Sequence, residues 1–548
     1  MITVKLFNKT LEVEEKTRIM DLLDNPKNYF AAKVNNRLRE LTYEMTFDAM
    51  VEPLTLVNND AVKVYETSLR YLVAMAFYNL YPETDIKISY AISRSLQINT
   101  VGDKKISLTS PVIRAVNAEM RRLVELDLPF EKCVMSKEEA EKYYVATRQS
   151  FKVETLQYRH EKICHFYKCG DYFNYMYGYM VPSTGYLKEF VLQSYDGSML
   201  VRYPRYEAEG IIPPFKDEPL FARELLNAHK WAKLCGADTV CKINQHVKQE
   251  TYVDFLNMCE TKHNDMLHEL GLAIAKDIEN IRLICIAGPS SSGKTTFSNR
   301  LKIELMSLGI TPLRISLDMY YKERDQIPLD AEGKPDFEDL RALDVELFNR
   351  QMVDLIEGEE VDLPVYNFGS GRTEQGVRTK IQANTPIIIE GIHALNDELS
   401  FAVPKHQKFK IYIAPQFQLN LDNHNPISFT DIRLLRRIVR DKKYRGTSAE
   451  KTLEMWPSVR RGEFKWIYPY QEGCDFIYNS ALTYELCVMK KYAMPALQAI
   501  KQDSPHYITA NRLIKFLKYF NDVDDKFVPC NSLLREFIGG SCFAEVEE

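Results

Sequence analysis

Residues 288–296 have the composition and spacing of a loop that holds phosphate groups. They read Gly-Pro-Ser-Ser-Ser-Gly-Lys-Thr-Thr and fit the pattern G-x-x-x-x-G-K-[ST]. In such a loop the backbone N–H groups face an anion, the Lys294 ammonium reaches the outer phosphates of a nucleotide, and the Thr295 hydroxyl binds magnesium. The candidate nucleotide-binding residues are Gly288, Ser290, Ser291, Ser292, Gly293, Lys294, Thr295 and Thr296.

The chain on either side of this loop supplies the elements that would position it. Residues 281–287 form a short apolar run, which indicates a buried parallel strand, and residues 297–308 predict a helix that ends at Gly309. A strand, a glycine-rich turn and a helix bring the loop to a helix N-terminus, whose partial positive charge favours an anion. We therefore expect an α/β domain in which helices flank a parallel sheet.

Five further motifs follow the loop. They are residues 314–321 (RISLDMYY), 335–344 (PDFEDLRALD), 363–372 (LPVYNFGSGR), 386–392 (PIIIEGI) and 431–441 (DIRLLRRIVRD). Over residues 280–479, their content and order resemble the uridine kinase/phosphoribulokinase family of P-loop kinases. The resemblance implies a kinase that uses ATP and Mg²⁺.

Two of these motifs end an apolar strand with a carboxylate. Asp318 follows residues 314–317 and Glu390 follows residues 386–389, and the carboxyl ends of parallel strands face the ligand crevice of an open sheet. The resemblance implies that Asp318 takes the proton from the acceptor hydroxyl and that Glu390 holds magnesium through water and contacts the acceptor. It also makes Lys294 a catalytic residue. A cap of the following turn is the alternative role for Asp318.

Arginines recur along one face of the last predicted helix. Arg433, Arg437 and Arg440 have i, i+4, i+7 spacing, and Arg445 follows them. The resemblance implies a lid over ATP in which Arg437 and Arg440 are catalytic, Arg445 contacts the nucleotide and Arg433 contacts the substrate. A solvated basic face is the alternative that the spacing alone leaves open.

The resemblance further implies an acceptor pocket that includes Tyr321, Glu338 and Tyr366. Glu338 stands where uridine kinases have an aspartate that bonds the ribose hydroxyls, and it remains a carboxylate. Gly371 stands near the position where pyrimidine-specific members have a histidine that contacts the base. We expect a nucleoside acceptor, with uridine or cytidine as the leading class and another ribosyl or sugar-like metabolite as the alternative.

The chain before residue 246 predicts two further domains. Residues 1–65 alternate short strands and turns, with a hairpin at the start and, within 58–65, a turn and a last strand, and they resemble the β-grasp TGS module of threonyl-tRNA synthetases. Residues 66–245 resemble the α+β second additional, editing-type domain of threonyl- and alanyl-tRNA synthetases. Residues 246–548 would then hold the kinase and a helical C-terminal extension.

Three residues of the editing-like region depart from the family pattern. Tyr90, Arg94 and Met180 stand where that family has metal-binding histidines. Tyrosine and methionine are poor replacements for imidazole, and arginine does not bind a cation. We therefore expect a structural or docking domain without a zinc centre.

Composition bounds the remaining possibilities. The chain has 548 residues, a net charge of −5 and eleven cysteines without C-x-x-C pairs. These features, with no apolar run of membrane-spanning length, predict a cytoplasmic protein that does not bind a membrane. The negative net charge argues against nucleic-acid binding, except through the N-terminal half. A homo-oligomer is possible. An RNA- or ribosome-associated regulatory NTPase remains an alternative to a metabolic kinase.

Overall fold

The computed structural model describes residues 1–147, 149–158, 163–248, 250–330, 332–367 and 369–544. The N-terminal region begins with one five-stranded sheet in the order β2-β1-β5-β3-β4. The hairpin predicted at the start of the chain is confirmed, because β1 and β2 pair from Ile2 with Val13 to Leu6 with Lys9. The strands are β1 (Ile2–Leu6), β2 (Lys9–Val13), β3 (Ala31–Val34), β4 (Arg37–Arg39) and β5 (Ala49–Leu54).

A strand predicted at residues 58–65 is wrong. The segment is the first part of a long helix, α1 (Asn59–Leu80). The side chain of Asn58 accepts a hydrogen bond from the Asp60 N–H at 2.8 Å and so caps the helix N-terminus. Because α1 is buried along most of its length, it joins the β-grasp sheet and the next region in one hydrophobic core. The predicted boundary at residue 65 therefore falls inside a helix.

The second region packs helices against two antiparallel sheets, with strand orders β11-β12-β7-β6 and β10-β9-β8. Its strands are β6 (Asp85–Tyr90), β7 (Leu96–Val101), β8 (Glu131–Ser136), β9 (Ile163–Cys169), β10 (Tyr172–Asn174), β11 (Val191–Tyr195) and β12 (Ser198–Arg202). Its helices are α2 (Ser110–Glu125), α3 (Lys137–Ala146), α4 (Ser150–Gln157), α5 (Pro219–Leu234) and α6 (Val240–Lys248).

The third region is built on a five-stranded sheet in the order β14-β17-β13-β18-β21, in which every neighbouring pair is parallel. Hydrophobic clusters cover both faces of this sheet. The predicted α/β fold with a parallel sheet is therefore confirmed. Two separate hairpins, β15–β16 and β19–β20, accompany this sheet. The strands of the region are β13 (Leu283–Ala287), β14 (Leu313–Ser316), β15 (Val361–Asn367), β16 (Arg372–Thr379), β17 (Ile387–Glu390), β18 (Lys408–Ala414), β19 (Asn420–Asp422), β20 (Asn425–Pro426) and β21 (Phe476–Asn479).

The helices of this region surround the sheet and continue to the end of the chain. They are α7 (Tyr252–Ala275), α8 (Lys294–Ser307), α9 (Val345–Glu357), α10 (Phe429–Tyr444), α11 (Ala449–Trp466), α12 (Glu485–Gln498), α13 (Tyr507–Leu517) and α14 (Arg535–Ile538). Among the described residues, no helix is both long enough and apolar enough to cross a membrane.

The short hairpin β19–β20 lies in the segment before α10 and docks on the second region. The Ile88 N–H donates to the Asn423 carbonyl at 2.7 Å, and the buried Lys152 ammonium pairs with Asp422 at 2.8 Å. Removal of one partner from a buried ion pair costs about 3–5 kcal/mol, because the other charge stays buried. These contacts fix the kinase-like region against the N-terminal half.

Candidate active site

The phosphate-binding loop joins β13 to α8 at the carboxyl end of the central strand. Gly293 has a φ of 92°, in the left-handed region that favours glycine, and α8 begins at the next residue. A Cβ on Gly288 would lie 2.0 Å from the Ile413 carbonyl oxygen, so no other residue fits at that position. The Lys294 ammonium donates to the Gly288 carbonyl at 3.1 Å. The sequence therefore forms the loop that its motif predicts.

Three hydroxyl groups of the loop indicate what it binds. The side chains of Ser291, Ser292 and Thr296 are buried, and their oxygens have no hydrogen-bond partner among the described residues. A buried hydroxyl without a partner costs about 1–3 kcal/mol. Phosphate oxygens at a helix N-terminus would accept these hydrogen bonds, so the residues present fit a nucleotide.

Two carboxylates stand beside this loop because β17 pairs with β13, and β14 pairs with the other edge of β17. Asp318 lies just after β14, and Glu390 is the last residue of β17. Thr295 Oγ1 donates to Glu390 Oε1 at 3.4 Å. Magnesium is usually bound by one or two carboxylates together with substrate phosphates. This donor set therefore fits Mg²⁺.

Desolvation raises the pKa of both carboxyl groups. The pKa of Glu390 rises to about 7 because the group is buried and because Asp318 repels its charged form. Asp318 is exposed, but the protein around it displaces part of the water that would hydrate its carboxylate. This desolvation raises the pKa of Asp318, and the positive charge of Lys294 opposes the shift. A bound cation would favour the charged form of both groups.

Helix α10 brings its arginines to the loop. Arg437 Nη1 donates to Ser290 Oγ at 2.8 Å. Arg437 and Arg440 also contact the buried Asp441, at 3.2 Å and 3.0 Å, and Arg445 lies 3.6 Å from the same carboxylate. Asp441 therefore holds Arg437, Arg440 and Arg445 close together beside the phosphate loop.

The fourth predicted arginine, Arg433, is held by protein groups. Its guanidinium forms a buried ion pair with Glu463 of α11, and its Nε donates to the Ser290 carbonyl at 3.2 Å. Arg436, between the predicted residues, pairs with Glu485 at 2.6 Å and is fully buried. We see Arg433 as a support of the loop backbone and Arg436 as part of the protein core.

The three predicted acceptor residues lie on elements that meet near the loop. The rings of Tyr321 and Tyr366 are 5.6 Å apart, and the Tyr321 hydroxyl donates to the Phe337 carbonyl at 3.0 Å. Burial raises the pKa of Glu338 to about 7, and the charges of Arg437 and Lys294 oppose the shift.

Two glycines shape this pocket. A Cβ on Gly462 of α11 would lie 2.6 Å from the Cβ of Glu338, so the absence of a side chain lets the two segments approach. Gly371 has a φ of 70° and accepts a hydrogen bond from the Arg324 N–H at 3.0 Å. Phe368, in the same motif, lies outside the described residues.

Glu536 is a site residue that the sequence did not reveal. Its carboxylate accepts a hydrogen bond from the Thr296 N–H at 3.0 Å, although 240 residues separate the two in the chain. The residues before it pack on the loop, because a Cβ on Gly293 would lie 3.1 Å from Leu533. Glu536 occupies a helix N-terminal donor of the kind that phosphates use.

We expect the substitution Glu536→Gln to tighten nucleotide binding. The change keeps the size of the side chain but removes a negative charge from the phosphate site, which corresponds to about a tenfold lower Kd for ATP. Titration calorimetry on the full chain would measure this change. Glu346→Gln is the matched control, since Glu346 is exposed in the first turn of α9. An unchanged or weaker affinity in the Glu536 variant alone would contradict the expectation.

The three substituted positions of the editing-like region contact protein groups. The Tyr90 hydroxyl donates to Glu66 at 2.8 Å, and Met180 is buried in the N-terminal core. Arg94 pairs with Glu207 at 3.0 Å and lies over the Phe464 ring, 4.5 Å from its centroid. Within the described ranges, no three His, Cys, Asp or Glu side chains form a group that could hold a metal ion.

Comparison with known proteins finds relatives of two kinds. Residues 283–486 match the model of the Phosphoribulokinase / Uridine kinase family. A uridine kinase from Ligilactobacillus salivarius is 29% identical over 196 residues, which cover 36% of this chain and 83% of that protein. A threonine–tRNA ligase from Clostridium kluyveri is 28% identical over 205 residues, which cover 36% of this chain and 32% of the ligase.

The chain spans about a third of the length of the threonine–tRNA ligases that it matches. The solved structure of a possible uridine kinase from Bacillus stearothermophilus aligns with 39% of this chain and 98% of its own, at 20% identity and a TM-score of 0.25. The two resemblances seen in the sequence, to the kinase family and to threonyl-tRNA synthetases in the N-terminal region, are confirmed. Residues 283–486 are therefore similar to the Phosphoribulokinase / Uridine kinase family.

Proposed function

We propose that the protein transfers the γ-phosphoryl group of ATP to a hydroxyl group of a nucleoside, with Mg²⁺ as the metal. One observation carries the proposal. The phosphate loop has three buried hydroxyls without a partner in the described part of the chain, and it lies beside Asp318 and Glu390 at the carboxyl ends of adjacent parallel strands. Phosphoryl transfer needs this combination, since it depends on positioning and on neutralisation of charge.

Each group of the site has a defined task in this reaction. When bound, ATP supplies the phosphoryl group and Mg²⁺ neutralises charge on the phosphate oxygens. The loop and Lys294 bind the phosphates, and Arg437 and Arg440 stabilise the charge that develops on them. Asp318 accepts the proton of the acceptor hydroxyl. The oxygen of that hydroxyl forms a bond to the γ-phosphorus of ATP, and the bond between the γ-phosphorus and the oxygen that leaves with ADP breaks. The raised pKa of Asp318 makes it a better proton acceptor.

The acceptor pocket favours recognition of the sugar. Glu338 offers a carboxylate for vicinal hydroxyls, and the rings of Tyr321 and Tyr366 form an apolar wall beside it. At position 371 a glycine leaves no side chain to contact a base. We therefore propose that selectivity depends more on the ribose than on the base.

A panel of acceptors tests this proposal. We expect removal of the ribose 2′-hydroxyl to lower kcat/KM by about ten- to a hundredfold, because a buried partner loses its hydrogen bond. Exchange of one base for another should have a smaller effect. The measurement compares uridine, cytidine, adenosine and 2′-deoxyuridine. Strong pyrimidine selectivity with indifference to the 2′-hydroxyl would contradict this account of the pocket.

The same panel addresses the second candidate function. Because the pocket relies on a carboxylate for hydroxyls, a free sugar is the main competing acceptor, so ribose and fructose belong in the panel. If a free sugar is phosphorylated with a higher kcat/KM than every nucleoside, the protein is a sugar kinase. We also propose a cytoplasmic location, since the sequence has eleven cysteines without C-x-x-C pairs.

A further inference from the structure

Two cysteines in the last part of the described chain lie side by side. The Cys542 N–H donates a hydrogen bond to the Cys530 carbonyl at 3.0 Å. In paired backbones such a bond holds the two Cα atoms about 5.5 Å apart. The Cα atoms of disulfide-bonded cysteines are usually about 4.4–6.8 Å apart. The backbone separation of Cys530 and Cys542 therefore suits a disulfide.

These two cysteines differ from the other nine in their access to solvent. Cys530 and Cys542 are exposed, whereas Cys133 and Cys235 are half-buried and the remaining seven are buried. Desolvation by the surrounding protein raises the pKa of the Cys542 thiol, and a hydrogen bond with the Cys530 thiol raises it further. Because Cys542 retains its proton, we take Cys530 as the attacking thiol and Cys542 as the resolving one. An exposed thiol next to a second thiol is a common arrangement of redox-sensing cysteines.

The segment between the two cysteines, residues 531–541, packs against the phosphate loop. Leu533, Leu534 and Phe537 of this segment are fully buried in the hydrophobic core that includes β13 and α8. Within the same segment, the Glu536 carboxylate accepts the hydrogen bond from the Thr296 N–H at 3.0 Å. A nucleotide phosphate would use N–H groups at this helix N-terminus. Glu536 and a nucleotide therefore compete at the loop.

The two ends of this segment differ in how they are held. At the first end, Ser532 Oγ donates to the buried Glu260 of α7 at 2.6 Å. At the second end, Gly539 and Gly540 have φ values of 91° and 73°, in the region that favours glycine. Adjacent small residues of this kind absorb a change in backbone direction and act as a hinge. Movement of Glu536 away from the loop would therefore use the end that carries Cys542, and a disulfide to Cys530 would restrain that end.

We propose that Cys530 and Cys542 form a reversible disulfide that holds Glu536 on the phosphate loop and so opposes nucleotide binding. The oxidant is a small-molecule disulfide such as oxidised glutathione. The Cys530 thiolate attacks one sulfur of that disulfide and releases one small thiol, and the Cys542 sulfur, after loss of its proton, displaces the second. The protein loses two electrons and two protons, and the small disulfide becomes two thiols. The effect on ATP rests on the proposed function, whereas the formation of the disulfide does not.

Peptide mapping by mass spectrometry tests for the disulfide, on the folded full chain incubated with reduced and oxidised glutathione. We expect a peptide pair linked through Cys530 and Cys542 that a reducing agent fully separates. The variant Cys530→Ser with Cys542→Ser should lack it. Cys235→Ser is the matched control and should keep it, since Cys235 is half-buried at the end of α5. Absence of the linked pair in a buffer of oxidised glutathione alone would overturn the proposal.

Hydrogen exchange at the Thr296 amide measures the restraint of Glu536 without any nucleotide. In the oxidised protein we expect exchange of the peptide that contains Thr296 to slow by about tenfold, because local opening of this contact needs movement of the closed segment. The double serine variant should exchange at the rate of the reduced protein in both buffers. Equal exchange in the oxidised and reduced wild-type protein would contradict the proposal, whether or not a nucleotide binds.

Calorimetric titration with Mg²⁺–ATP measures the consequence for the phosphate loop. We expect a Kd about tenfold higher in the oxidised protein, because a fixed carboxylate repels the phosphates, and coupling of this size is usual between linked sites. In Glu536→Gln the disulfide should still form but change the Kd by less than about twofold. The full redox effect in that variant would overturn the role of Glu536. If neither form binds ATP although the disulfide and the slowed exchange are both observed, the proposed function is wrong and the disulfide stands.

Discussion

The variant Lys294→Ala should lose turnover by about 100- to 1,000-fold, the effect expected when one charged donor to a developing phosphate charge is removed. Among the residues that the structure describes, the Lys294 ammonium has one hydrogen bond, to the Gly288 carbonyl. Its loss should therefore leave the thermal unfolding midpoint nearly unchanged. Steady-state kinetics with ATP and uridine, together with a thermal melt, would measure both quantities.

Lys302→Ala is the matched control for this variant. Lys302 lies on the same helix, α8, two turns beyond the loop and only partly buried. We expect its turnover to stay within about twofold of the wild type, as for most surface substitutions. Near-normal phosphorylation by a folded Lys294→Ala protein would refute the role of the loop in catalysis.

Asp318→Asn should lower kcat by about 100- to 10,000-fold, because the amide keeps the shape of the carboxylate but does not accept the hydroxyl proton. ATP affinity should change little, since the loop and its helix N-terminus remain intact. Pre-steady-state kinetics would measure the chemical step, and calorimetry would measure ATP binding.

Asp325→Asn provides a comparison a few residues along the chain. Asp325 is exposed and lies outside the sheet edge that carries the site, so its kcat should match that of the wild type. A decrease of less than tenfold in the Asp318 variant, with chemistry still rate-limiting, would show that Asp318 is not the base.

The phosphate loop and the two carboxylates beside it could be predicted from the sequence because each of them lies in one short segment of the chain. The loop is one run of nine residues, and Asp318 and Glu390 each end an apolar strand. Parallel pairing of β14, β17 and β13 then brings these groups to the same edge of the sheet. Local patterns and the rule for strand ends were sufficient here.

Groups that meet through distant parts of the chain could not be predicted. Glu536 accepts a hydrogen bond from Thr296, which lies 240 residues away in the chain, and no periodicity in the sequence indicates such a contact. In the β19–β20 hairpin, the buried Asp422 pairs with Lys152 of the N-terminal half, and no local pattern in the sequence indicates this contact.

The helix α1 shows a different kind of limit. Alternating side chains in residues 61–65 suggested a strand, whereas the cap at Asn58 and burial on all sides stabilise a helix. A helix buried on all sides has no polar face, so periodicity alone does not distinguish it from a buried strand.

The most direct test of the proposed function is phosphoryl transfer from γ-labelled ATP to uridine in the presence of Mg²⁺. We expect label to appear in a uridine monophosphate at a rate that depends on Lys294 and Asp318, with one phosphate transferred for each ATP consumed. If the folded protein binds ATP but phosphorylates no nucleoside or sugar of the panel, and releases the label only as inorganic phosphate, the proposed function is wrong.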